Sequence, residues 1–288
     1  MSHSADLNVC GGSSADPGQG SMPLSKAKEG QSSRYPGRLI VNADDWGRDR
    51  ETTDRTLDCI RQGTISGVSA MMFMEDSERA AEIARTAGID AGLHLNLTTP
   101  LSGGGFPGTL AEHHHKLSAF LLRNSMLRVL YCPWLKRSFE YVVAAQLDEY
   151  QRLYGEAAQR IDGHHHQHLS ANVQFGNLLP SGTVVRRNFS FLAGEKSWAN
   201  RMYRKTVDRR LARRYRVVDF LFPLKPLEPT RLQRIFSIAH RAVVELETHP
   251  VNREEHRFLT GGEIFGLLGD MTISPNFTAA VVESRSAQ

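Results

Sequence analysis

The sequence predicts an α/β fold built on a parallel sheet, because short apolar runs alternate with longer stretches of helical periodicity. Seven runs have the composition of strands, at residues 38–43, 67–74, 91–97, 160–166, 183–187, 216–221 and 243–248. Most of them are separated by enough residues for a crossover helix, and residues 49–62 and 78–87 have helical patterns. A parallel barrel and a doubly wound open sheet both fit this order.

The composition is that of a globular protein. Of the 288 residues, 40% are hydrophobic and 23% are charged, which excludes a collagen-like or wholly disordered chain. The three cysteines are widely spaced and form no Cys-x-x-Cys pair, which argues against a disulfide framework or a thiolate zinc site. Because the sequence holds no run of about 18 apolar residues, we expect no transmembrane helix and a cytoplasmic protein.

The chain divides into a tail and one folded domain. Residues 1–36 are rich in Ser, Gly and charged residues and lack the apolar core of a secretory signal, so we predict a disordered tail. Residues 37–288 carry the strand and helix pattern and are predicted to form a single domain. Two segments, 98–140 and 201–216, interrupt the pattern as insertions.

Histidines are concentrated in two clusters, at 113–115 and 164–168. If the second cluster continued the preceding strand, its period of two would place Asp162, His164, His166 and His168 on one side. Four ionisable groups on one strand face are costly unless they hold a metal or each other, and His-rich tracts commonly bind metals. A solvated loop is the alternative, and it is the interpretation that we favour for residues 113–115.

Polar residues also end three other predicted strands. Asp44 and Asp45 follow the first strand and, as neighbours on a strand, are expected to point to opposite sides and take different roles. His94 lies near the end of the third strand, and the segment from Glu245 to His249 ends the last one. Since the carboxyl ends of parallel strands meet at one face, these groups are predicted to converge there.

Taken together, the segments 42–47, 92–98, 161–168 and 245–250 resemble the YdjC-like carbohydrate deacetylases, which include the chitooligosaccharide deacetylases. The resemblance runs from Arg38 to near the C-terminus. It implies a distorted parallel (β/α) barrel related to the TIM barrel, and one divalent metal held by one Asp and two His. The sequence departs from the family pattern at Trp46, Gly163 and Gln167, where we expect changes in substrate fit rather than loss of ligands.

The resemblance also implies roles for individual residues. The metal ligands would be Asp45, His94 and His164, with Asp44 as the general base and His249 as the general acid. Mixed oxygen and nitrogen ligands suit Mg²⁺ or Zn²⁺, and also Mn²⁺ or Co²⁺. Asp162 and Glu245 are predicted to orient a ligating or catalytic histidine. The remaining candidates for supporting or substrate contacts are His166, His168 and Arg186.

The predicted function is metal-dependent removal of the acetyl group from an N-acetylated amino sugar, either free or lipid-linked. A metal-dependent phosphoesterase could use similar ligands, although it would more often show a second metal site. A non-catalytic, metal-stabilised barrel that binds RNA or an anionic membrane through residues 201–216 is a third interpretation.

The insertion at 201–216 carries eight cations and one acid. Tyr203, Val207, Leu211 and Tyr215 recur every fourth residue, which predicts an amphipathic helix with a basic face. That face is either solvated or suited to peripheral contact with the anionic inner surface of a membrane. Binding to a specific nucleic acid is not expected. The family resemblance further suggests a homodimer.

Overall fold

The computed structural model describes residues 38–191 and 198–286. The predicted tail at 1–36 lies outside the described residues. Its predicted disorder and the domain boundary at residue 37 stay predictions.

Seven parallel strands form one curled sheet in the described part of the chain. The strands are β1 (Arg38–Trp46), β2 (Gly67–Ala70), β3 (Ala91–Leu95), β4 (Arg160–Gly163), β5 (Val184–Val185), β6 (Phe220–Pro223) and β7 (Val243–Thr248). Their order is β5-β4-β3-β2-β1-β7-β6, and every pairing is parallel. The predicted α/β barrel-like class is confirmed.

The two edges of the sheet are joined by irregular backbone contacts. Arg216 pairs with Val184 of β5, and the amide of Val185 donates to the Arg216 carbonyl at 2.8 Å. The amide of Ser190 donates to the carbonyl of Leu221 in β6 at 2.7 Å. The predicted strand at 216–221 is therefore divided: Arg216 pairs with β5, whereas Phe220 and Leu221 belong to β6 and pair with β7. These contacts account for the distortion of the barrel.

Helices separate the strands and cover the sheet. They are α1 (Arg50–Arg61), α2 (Ser77–Ala87), α3 (Gly108–Arg123), α4 (Lys136–Tyr154), α5 (Ala171–Gly176), α6 (Trp198–Ala212), α7 (Pro229–Ala239), α8 (Arg253–Thr260), α9 (Glu263–Leu268) and α10 (Phe277–Ser286). Asp49 caps α1 by accepting from the amide of Thr52, and Gly88 ends α2 in the left-handed conformation (φ 65°). No helix in these described ranges is long and apolar enough to span a membrane.

Both insertions contain helices. The histidines at 113–115 lie within α3, so their prediction as an exposed loop is wrong. The reason is a helical stripe in which Leu110, His114, Leu117 and Leu121 are all buried. The basic segment forms most of α6, as its four-residue period predicts. Leu211 and Tyr215 are buried, whereas Tyr203 is 51% exposed.

The interior of the barrel is polar at its centre. Arg160 enters from β4 and is 1% exposed, and it donates to the side chain of Asn42 (2.9 Å) and to the Val68 carbonyl (2.9 Å). Gly92 leaves room for this guanidinium, because a Cβ on Gly92 would lie 2.8 Å from the Arg160 Cζ. A buried and hydrogen-bonded arginine therefore occupies the centre of the barrel.

Candidate metal centre and active site

Asp44 and Asp45 lie at the end of β1, where the strand leaves its regular pairing with β2. The register shifts between Ala43 and Trp46, and Asp45 has a positive φ of 65°. The two carboxylates consequently converge on one imidazole, lying 3.9 Å and 3.4 Å from the Nε2 atom of His94. The expectation that they point to opposite sides is wrong, because it assumed a regular strand.

Asp45 brings His94 and His164 together. Its Oδ1 atom lies 3.4 Å from Nε2 of His94 and 2.9 Å from Nδ1 of His164, and ligand atoms of all three residues lie within 4.8 Å of one another. Burial alone would raise the pKa of Asp45, but the two adjacent imidazoles hold it well below its usual range. The three predicted metal ligands therefore occupy one cluster.

The histidine run does not continue β4. The strand ends at Gly163, and residues His164–Leu169 form a 3₁₀ turn in which His165 and His166 have positive φ angles of 53° and 55°. The predicted strand face is therefore wrong. A Cβ on Gly163 would lie 2.9 Å from the amide nitrogen of His168, so the turn can fold back tightly at this glycine.

The turn nevertheless directs alternate histidines to the acidic centre. His164 contacts Asp45, and Nε2 of His166 lies 3.5 Å from Glu247. Nε2 of His168 lies 2.9 Å from the carbonyl oxygen of Arg186, which requires a proton on that nitrogen. Burial lowers the pKa of His168 to about 4. His168 is therefore a neutral, buried support for the turn.

Asp162 orients His94. Its Oδ1 atom lies 2.7 Å from Nδ1 of His94, so Nδ1–H donates to the carboxylate and Nε2 faces Asp45. Burial disfavours the charged imidazole, but the carboxylates of Asp44 and Asp162 outweigh burial and raise the pKa of His94 to about 10. The predicted supporting role of Asp162 matches this contact.

Arg186 is the central cation of the site. It is 3% exposed and contacts four carboxylates: Asp44 (2.6 Å), Glu245 (2.8 Å), Asp162 (2.9 Å) and Glu247 (3.1 Å). Its two Nη atoms hold both oxygens of Asp44. Burial opposes the charged guanidinium, but the surrounding carboxylates keep its pKa well above the usual value.

The two glutamates of β7 carry raised pKa values. Burial raises the pKa of Glu245 to about 7. Burial, followed by repulsion from Asp44, raises that of Glu247. Glu245 was predicted to orient a histidine. Its Oε1 atom instead accepts a hydrogen bond from Arg186.

His249 follows β7 at the mouth of the site. Its backbone amide donates to Oε2 of Glu255, which also accepts from the hydroxyl of Thr248. A ring nitrogen of His249 lies within 4.8 Å of carboxylate oxygens of Asp44 and Glu247. The imidazole is half-buried, which suits a group that exchanges protons with solvent and substrate.

Three residues of the centre are not among those predicted. Glu247 lies two positions after Glu245, and the strand period of two could have placed both on one face. Arg48 donates to Oδ2 of Asp45 at 2.8 Å, a contact made by the turn after β1. Arg160 lies 3.8 Å from Asp162, two positions along β4, so the same period could have placed both on one face.

The donor set fits a divalent cation. Oδ1 of Asp45 and Nε2 of His94 are both buried and accept or donate no hydrogen bond within the described ranges. Such orphaned polar atoms are rare in native interiors unless an ion or water satisfies them. One carboxylate and two imidazoles also leave coordination positions open, which is typical of a catalytic metal site.

Comparison with known proteins agrees with this geometry. The family model for YdjC-like proteins matches residues 38–264, which include every strand of the sheet and all the residues of the centre. This chain belongs to the YdjC-like family. The structure of a protein from Enterococcus faecalis V583, described as a candidate cellobiose-phosphate cleavage protein, covers 83% of this YdjC-like chain and 98% of its own, with a TM-score of 0.60. At 15% identity, that likeness concerns the fold.

Relatives of this YdjC-like protein include named deacetylases. A carbohydrate deacetylase from Danio rerio is 31% identical over 140 residues, which cover 48% of this chain and 44% of the relative. A chitooligosaccharide deacetylase from Serratia marcescens is 28% identical over 136 residues, covering 47% and 52%. The chain spans about half the length of the curated relatives it matches.

Proposed function

We propose that this YdjC-like protein is a metal-dependent hydrolase that removes the acetyl group from an N-acetylated amino sugar. The observation that carries the proposal is the cluster of Asp45, His94 and His164 beside the carboxylate of Asp44. The deacetylases named among its relatives give the substrate class.

The cation would be held by Oδ1 of Asp45, Nε2 of His94 and Nδ1 of His164. A bound divalent cation would lower the pKa of a coordinated water and polarise an acetamide carbonyl. The ligand chemistry is compatible with Mg²⁺, Zn²⁺, Mn²⁺ or Co²⁺. The neighbouring carboxylates favour the protonated form of His94, so a cation would compete with a proton for Nε2.

The chain's own groups then handle the protons. Asp44, held at both oxygens by Arg186 and also by the amide of Asn42 at 2.8 Å, is positioned to accept a proton from the attacking water. His249 lies on the same side as Asp44 and donates a proton to the departing amine. A positioned acid or base of this kind contributes about 10²–10⁴-fold to the rate.

Acetate release from N-acetylglucosamine oligomers with added metal tests the proposal. We expect Asp44→Asn to abolish turnover while the protein still binds metal, and Asp45→Asn to lose both. Asp148→Asn, an exposed change on α4, is the matched control and should leave both unchanged. Full activity in Asp44→Asn would refute the assignment of the base.

The phosphoesterase alternative calls for a second cation. Asp44, Glu247 and His249 form a second group with ligand atoms within 4.8 Å. Arg186 already contacts Asp44 and Glu247 in this group, so a guanidinium stands where a second metal would be needed. Phosphate release from phosphate esters would favour the phosphoesterase, and absence of both activities would favour the non-catalytic barrel. Metal-dependent release of acetate without release of phosphate would support the deacetylase. The cytoplasmic location and the homodimer stay predictions.

A further inference from the structure

A cleft of about 440 Å³ opens beside the proposed metal centre. One wall is His166, whose Nε2 atom lies 3.5 Å from Glu247 of that centre. The other walls include Phe189 and Tyr203 together with Arg128 and Arg204. A substrate whose sugar reached the metal centre would therefore extend past one histidine into this cleft.

The two arginines that line the cleft come from the two insertions. The pKa of Arg204 is lowered by burial and then by the charge of Arg128. Within the described ranges neither forms a salt bridge with a carboxylate, whereas the nearby Arg187 is paired with Asp208 at 2.7 Å. Arg204 donates from Nε to Asn200 at 2.8 Å. An anionic group between the two guanidinium groups would offset their repulsion.

A second cavity, of about 560 Å³, continues from the cleft. The two cavities share Val129, Leu169, Tyr203 and Val207. The second one is more apolar, since Ala171 and Phe175 also line it, and Phe175 is 57% exposed. Three arginines of the basic segment also line it: Arg209, Arg210 and Arg213. The guanidinium carbon of Arg210 lies 4.4 Å from the centre of the Phe175 ring. An apolar chain would cover these exposed apolar side chains.

We propose that the cleft and the apolar cavity bind the anionic linkage and the hydrocarbon chain of an amphiphilic glycolipid whose acetamido sugar reaches the metal centre. The order of the surfaces matches the order of parts in such a molecule: sugar, charged linkage, chain. A neutral soluble oligosaccharide would use neither the paired arginines nor the apolar cavity. The inference rests on the proposed deacetylation and specifies its substrate class.

Four soluble derivatives of N-acetylglucosamine separate these parts: the methyl and dodecyl glycosides, and the methyl and dodecyl phosphodiesters. Acetate release is measured below the micelle concentration of each. We expect kcat/KM to be highest for the dodecyl phosphodiester, at least tenfold above either derivative that lacks the charge or the chain. Burial of each methylene group contributes roughly fourfold in affinity, so even partial insertion gives a measurable effect.

Two variants with matched controls assign each effect to its cavity. Arg204→Gln should remove the advantage of the charge and keep that of the chain, while the exposed Arg201→Gln should change neither. Phe175→Ala should reduce the advantage of the chain, while the exposed Phe265→Ala elsewhere on the surface should not. The controls Arg201→Gln and Phe265→Ala should hydrolyse all four derivatives as the wild type does.

Binding of dodecyl phosphate, measured by calorimetry, keeps this inference distinct from the proposed reaction. Binding that Arg204→Gln and Phe175→Ala weaken at least fivefold supports the cavities even if no acetate is released, and the reaction is then wrong. Equal hydrolysis of all four derivatives with no dodecyl phosphate binding would overturn the inference and leave the deacetylase intact. Binding that neither variant changes would also overturn it.

Discussion

Asp162 determines which nitrogen of His94 faces the proposed cation. The 2.7 Å contact with Nδ1 leaves Nε2 directed at Asp45. Removing such a carboxylate partner typically lowers metal affinity about 10–100-fold. We therefore expect Asp162→Asn to weaken Zn²⁺ binding within that range, measured by competition with a chelator.

The control for Asp162 is the exposed Asp148→Asn, which should bind Zn²⁺ as the wild type does. Unchanged affinity in Asp162→Asn would mean that the imidazole is oriented by something other than this carboxylate.

Arg186 neutralises a buried acidic cluster. Truncating it leaves Asp44, Asp162, Glu245 and Glu247 without their shared cation. Breaking a buried pair by removing one partner costs about 3–5 kcal/mol, so we expect Arg186→Gln to lose stability of that order in urea unfolding.

The neighbouring Arg187 provides a matched comparison, because its partner Asp208 lies nearer the surface. Arg187→Gln should cost less than Arg186→Gln, because both members of its ion pair are more exposed than Arg186 and Asp44. Equal losses in the two variants would argue against a special role for Arg186.

At the scale of elements, the meeting of β3 and β4 depends on Gly92. Its missing side chain makes space for Arg160, whose Cζ would lie 2.8 Å from an added Cβ. Overpacking of a filled interior costs about 1–3 kcal/mol, so Gly92→Ala should be destabilised by that amount in urea unfolding. Gly104→Ala, where an added Cβ meets nothing within 4 Å, should change stability little. Equal stability of the two variants would contradict the close approach.

The elements also show which structure was predictable from the sequence. The strands and α6 were predictable because their periodicity is local. The turn at 164–169 was not, because the alternation of Asp162, His164, His166 and His168 is equally typical of a strand. The role of Arg186 was not predictable either, since its four carboxylates come from β1, β4 and β7. The convergence of Asp45, His94 and His164 could be predicted because parallel strand ends meet, whereas their assignment as metal ligands depended on the family resemblance.

For the whole molecule, two buried histidines contribute in opposite directions to the dependence of metal-free stability on pH. The pKa of His168 falls from 6.5 to about 4 on folding, so its contribution is complete above pH 6.5 and is lost as the pH falls towards 4. The pKa of His94 rises from 6.5 to about 10, so its contribution is complete below pH 6.5 and is lost as the pH rises towards 10. The two histidines together therefore favour neutral pH, and Glu245, whose pKa rises from 4.5 to about 7, adds stability that is lost as the pH rises towards 7.

His168→Gln tests the predicted loss of stability below pH 6.5. The glutamine cannot be protonated in this range, and its amide can still donate to the Arg186 carbonyl. Urea unfolding across pH 4–7 should show the stability of this variant falling less than that of the wild type, by up to about 3 kcal/mol. The exposed His115→Gln should follow the wild type. Identical slopes in His168→Gln and the wild type would contradict a buried neutral histidine.

The central claim is that three distant segments hold one cation. Anomalous diffraction from crystals soaked in Zn²⁺ tests it most directly. We predict one strong peak within about 2.0–2.2 Å of Oδ1 of Asp45, Nε2 of His94 and Nδ1 of His164, lost in His164→Ala. A peak at another group of side chains, or none at saturating Zn²⁺, would contradict the claim.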